Sequence, residues 1–78
     1  MNKVRRKKLE ELISSLEGIC ADLEYLRDEE QNAFDNMPES LQSSERGAKL
    51  EDNAYQLEDA YNNLDGIVEN LNELLNDN

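Results

Sequence analysis

Asp28, Glu29, Glu30 and Asp35 crowd four carboxylates into one short stretch, a density that in helical proteins can hold a pair of iron ions. Such sites need Glu-x-x-His motifs on facing helices, and the chain has no histidine. No segment supplies the oxygen-bearing loop of an EF-hand. Carboxylates alone attract divalent cations loosely, so no metal and no cofactor is expected. Cys20 is the single thiol, with no basic residue in its own turn to stabilise a thiolate. It reads as a small buried hydrophobe. No Ser–His or Cys–His pair and no phosphate-cradling glycine pattern occurs, so no catalytic residue is assigned. The chain is expected not to be an enzyme, and nucleotide chemistry is the most distant reading.

The remaining chemistry is electrostatic. The 78 residues carry 19 acidic and 8 basic side chains, for a net charge of −11. Lys3, Arg5, Arg6, Lys7 and Lys8 form a basic start, whereas the stretch 50–78 has many acids and no lysine or arginine. Long-range repulsion from phosphate opposes direct binding to nucleic acid or an anionic membrane. The converse is more attractive: a helix lined by Glu58, Asp59, Asp65, Glu69 and Glu73 could occupy the phosphate-binding surface of a basic protein. Strong acidity is also a common route to solubility. No run approaches the roughly 20 apolar residues of a membrane span, and acids and serines break the apolar segment a signal peptide requires. A cytoplasmic setting is expected and fits the lone thiol.

The elements that position these groups follow from spacing. Leu9, Leu12, Leu16, Ile19, Leu23, Leu26, Glu30, Ala33 and Met37 alternate at intervals of three and four, an a/d stripe broken only by Glu30. Gly47, Leu50, Ala54, Leu57, Tyr61, Leu64, Val68, Leu71 and Leu75 form a second stripe. The spacing predicts a helix over 3–35, a connection over 36–43 and a helix over 44–76 in one domain. Pro38 interrupts a continuous rod, because it lacks a donor and clashes with the preceding turn. Asn36 and Glu39 have capping-box spacing, which suggests one short helical turn in the connection, and Ser43 or Ser44 can cap the second helix. Met37 and Leu41 are expected to plug the open end. Folding back pairs Leu9 with Leu71, Leu16 with Leu64, Ile19 with Tyr61 and Glu30 with Leu50. Ala33 then meets Gly47, a small pair that allows close approach. The basic start falls beside the acidic end, although each surface ion pair contributes under about 1 kcal/mol.

The stripes are wider than a two-stranded seam needs. Ile13, Cys20 and Phe34 extend the first, and Ala60, Ile67 and Leu74 extend the second. With the stripes as seams these additions fall on opposite flanks. A chain this short buries only about 60% of its unfolded surface and commonly completes its core with a partner. The fold class expected is all-α: an antiparallel, coiled-coil-like two-helix hairpin that dimerises into a four-helix bundle. A monomeric hairpin, or one completed by another protein, is the competing arrangement. Tyr25 and Tyr55 stand off both stripes and are candidate interface anchors, together with Phe34, Ile67 and Leu74.

The stretch EEQNAFDNMPESLQSSERG, with the RRKKLEELI start before it and an acidic helix after it, resembles a group of short proteins encoded in phages and mobile elements of Gram-positive bacteria. The resemblance transfers no functional residues. It implies a protein that acts by binding a host protein. The function expected is therefore a non-enzymatic protein–protein interaction module, either an inhibitor or a nucleic-acid mimic facing a basic host surface. The alternative is a structural or assembly module acting through self-association.

Overall fold

The computed structural model describes residues 1–77. Among these residues three helices follow one another: α1 over Lys3–Asp35, the short α2 over Glu39–Gln42, and α3 over Glu45–Asn76. α1 and α3 pack antiparallel as a hairpin 59 Å long and 14 Å wide.

Local chemistry sets the ends. The Asn2 side chain accepts from the Arg5 N–H at 2.8 Å and caps α1. α1 stops at Asn36, because Pro38 two residues on cannot continue it. The capping-box expectation for Asn36 is corrected: Asn36 ends α1, while Pro38 precedes α2 and gives no side-chain cap. The Leu41 N–H donates to the Pro38 carbonyl at 2.8 Å, closing the turn. Gln42 then ties α2 back to α1 by donating from Nε2 to the Phe34 carbonyl at 3.1 Å. Ser44 is the cap of α3, its hydroxyl bonded to the Leu41 carbonyl and accepting from the Gly47 N–H at 3.3 Å. Met37 is half-buried at the hairpin end, but Leu41 is exposed and plugs nothing.

The α3 side of the seam is the stripe read from spacing, with Gly47, Ala54 and Val68 buried and Leu50, Leu57, Tyr61, Leu64, Leu71 and Leu75 half-buried. α1 differs. Its inward face runs Leu9, Ile13, Leu16, Cys20, Leu23, Arg27, Glu30, Phe34, Met37, again alternating four and three. Ile13 and Cys20 are 5% and 7% exposed, whereas Leu12, Ile19 and Leu26 are 53%, 48% and 47% exposed. Ala33 is exposed too. The seam is therefore rotated by one residue on alternate turns, and the expected pairing is corrected with it. Glu30 meets Asn53 rather than Leu50, accepting from Asn53 Nδ2 at 3.1 Å, and Arg27 reaches Glu58 at 3.4 Å. The helices slide by about one turn, 5.4 Å, relative to that pairing.

Gly47 does allow a close approach, but not to Ala33. A Cβ there would lie 2.7 Å from the Leu41 carbonyl oxygen and would collide with the Gln42 carbonyl. The glycine lets α3 start directly against the backbone of α2.

Candidate functional site

The rotated seam leaves one flank on each side of it and an outer face on each helix. Arg27 and Tyr61 belong to the seam and reach toward Glu58 and Glu24, which marks the flank holding Glu17, Glu24, Glu58 and Asp65. Asn53 reaches Glu30 from the other flank, and by seven-residue spacing Ala60, Ile67 and Leu74 share its column. On α1 the matching column is Leu12, Ile19, Leu26 and Ala33. In an antiparallel pair with a/d seams, like-numbered flanking columns face each other. The leftover apolar residues of both helices thus lie on the same flank, not on opposite ones.

The acidic flank encloses a shallow groove of about 270 Å³ lined by Glu17, Cys20, Glu24, Tyr61, Asp65 and Val68. Burial pushes the Cys20 thiol above its ordinary value, and the charges of Asp65 and Glu17 add to the effect. The charge of Glu24 and then its hydrogen bond push the Tyr61 phenol upward. Both groups are held neutral, so neither a thiolate nor a phenolate nucleophile is prepared here. Arg27 is held charged by its hydrogen bond to Asp28, at 2.7 Å, with Glu58 and Glu24 adding to the field. Among the described residues no group of three or more His, Cys, Asp or Glu is arranged to hold a metal ion. No helix among them is long and apolar enough to cross a membrane.

Glu58 and Asp65 stand on the acidic flank, and Asp59, Glu69 and Glu73 continue that charge around the outer face of α3. Tyr25 and Tyr55 are 65% and 69% exposed on the outer faces of their helices and do not meet. Ile67 and Leu74 lie on the apolar flank, 48% and 44% exposed. Phe34 is the exception among the candidate anchors: it is half-buried in the seam, in line with Cys20 and Arg27. Spacing alone did not mark Leu12, Ile19 and Leu26 as surface. Their signal was present in the acid-free columns of α3, since Gln56, Asn63 and Asn70 border Ala60, Ile67 and Leu74 in a helix otherwise rich in carboxylates.

Among the described residues no ion pair joins the basic start of α1 to the acidic end of α3. Arg6 pairs with Glu10 at 4.0 Å, and Lys3, Arg5, Lys7 and Lys8 make no ion pair with any described carboxylate. No family model matches the chain, and no curated protein or solved structure shows a significant likeness to it.

Proposed function

We propose that the protein is a non-enzymatic protein–protein interaction module that presents an acidic helical face to a basic surface on another protein. The observation that carries this reading is charge segregation. Glu51, Asp52, Glu58, Asp59, Asp65, Glu69 and Glu73 all lie on the acidic flank or the outer face of α3, while the columns nearest the apolar flank hold no acid from Arg46 to Asn76. Carboxylates placed only for solubility would surround the helix. Glu17 and Glu24 of α1 widen the same face. A rod 59 Å long with acids on successive turns offers a partner a row of negative charge, as a nucleic-acid backbone does. The specific form proposed is a cytoplasmic inhibitor or nucleic-acid mimic of phage or mobile-element origin, the origin resting on the sequence resemblance alone.

The test is affinity purification from the source cells with the wild type and with a variant carrying Glu58→Gln, Asp65→Asn, Glu69→Gln and Glu73→Gln. A basic protein retained at low salt, released at high salt and lost with the variant supports the reading. Equal retention by the still-helical variant refutes it. A second reading, an assembly module acting through self-association, is favoured by the apolar flank.

A further inference from the structure

We infer that the apolar flank is covered by a second copy of the same chain, packed antiparallel across a two-fold axis that passes beside Ile19 and Ile67. The inference is independent of the acidic-face reading, because it uses the opposite flank.

Three observations identify the occupant. The first is symmetry. Leu12, Ile19 and Leu26 are evenly spaced about Ile19, and Ala60, Ile67 and Leu74 about Ile67. By the hairpin register Ile19 and Ile67 lie within about half a turn of one level, so one axis passes beside both helices. It sets Ile19 against its own copy and Leu12 against Leu26 of the other, and isologous contacts of this kind close as dimers.

The second is charge. The same operation lays the basic start of one α1 along the acidic end of the other, with Lys8, which has no ion pair among the described residues, facing Glu29 of the other copy. Antiparallel stacking also keeps the two basic starts at opposite ends of the assembly, whereas a parallel order would bring them together. On α3 the residues that meet their copies beside the apolar column are Gln56, Asn63 and Asn70, so two strongly acidic helices approach without opposing carboxylates.

The third is exposure. Leu12, Ile19, Leu26, Ile67 and Leu74 are 44–53% exposed along this flank, an apolar row of the kind that marks an interaction surface.

Sedimentation equilibrium tests the occupant and cysteine cross-linking tests the order. The wild type sediments at twice its 9.0 kDa chain mass. Ile19→Lys, which sets two like charges at the axis, raises the dimer dissociation constant by about a hundredfold while helicity by circular dichroism is kept. Tyr55→Lys, on the outer face, leaves the mass unchanged. Ile19→Cys in a Cys20→Ala background oxidises to a covalent dimer, because residue 19 meets its own copy. A wild type that stays monomeric at several hundred micromolar, an Ile19→Lys dimer of unchanged affinity, or an Ile19→Cys dimer that does not cross-link on oxidation overturns the inference.

Discussion

Gly47→Ala is expected to destabilise the protein, whereas the same change at Gly18 stabilises it. Alanine is favoured over glycine inside a helix by about 1 kcal/mol, so helix propensity alone pushes both variants upward. At Gly18 nothing lies within 4 Å of the added methyl, and the propensity gain is realised in full. At Gly47 the methyl meets main-chain atoms at 2.7 Å or less, where ordinary contact begins near 3.4 Å. The α2 turn must therefore retreat by most of an ångström. That movement strains the Gln42–Phe34 hydrogen bond at 3.1 Å and the Ser44 cap. Overpacking against backbone costs about 1–3 kcal/mol, and the lost bonds about 1 kcal/mol more. The net result is a loss of about 1–3 kcal/mol, or about 5–20 °C in a domain of this size. Thermal unfolding followed by circular dichroism at matched concentration reads both variants. A Gly47→Ala protein as stable as the wild type would refute the account of how α3 is seated on the turn.

Other substitutions probe the seam and the caps. Arg27→Leu fills a seam position with an aliphatic side chain and removes only weak, half-exposed ion pairs, so urea unfolding should show a gain of about 1 kcal/mol; a loss would show that Arg27 holds the register. Ser44→Ala should cost about 1 kcal/mol through the lost cap, and an unchanged melting point would discount it. Cys20 and Tyr61 both titrate above their ordinary 9.0 and 10.0 in the folded chain. A raised value means the folded state favours the protonated group, so the stabilisation is complete below about pH 9 and is lost as pH rises through the folded-state values. Melting temperature should fall above pH 9, and less steeply in a Cys20→Ala, Tyr61→Phe double variant; an identical slope would contradict the assignment.

Much of this architecture is legible in the sequence. Pro38, Ser44 and the alternation of apolar residues specify two long helices that reverse, and the α3 seam from Gly47 to Leu75 is the stripe that spacing picks out. α1 is harder to read because two columns share Leu9, Leu16, Leu23 and Glu30. One is completed by Leu12, Ile19, Leu26 and Ala33, the other by Ile13, Cys20, Arg27 and Phe34. Hydropathy favours the first. Packing adopts the second, which buries Ile13 and Cys20 and gathers the spare aliphatics of both helices on one flank. A hydropathy stripe ranks columns one helix at a time, whereas the choice depends on what the other helix sets against them. The short helical turn of α2 is legible from Pro38 and the Asn36–Glu39 spacing, but the register between the long helices is not, because spacing along each of them does not record how far the connection displaces one against the other. The acidic candidates Glu58 and Asp65 were visible by composition. Glu17 and Glu24, which share their flank, became recognisable only once the seam was placed.

Nuclear Overhauser contacts of the Tyr61 ring test the central claim, that Cys20 and not Ile19 faces α3 across the seam. Tyr61 and Cys20 line the same groove, and Ile19 lies on the far flank of α1. Cross-peaks from the Tyr61 ring protons to the Cys20 β-protons, with none to the Ile19 methyls, are the predicted result. Strong cross-peaks to the Ile19 methyls, with Cys20 silent, would contradict the seam, and with it the division into an acidic and an apolar flank.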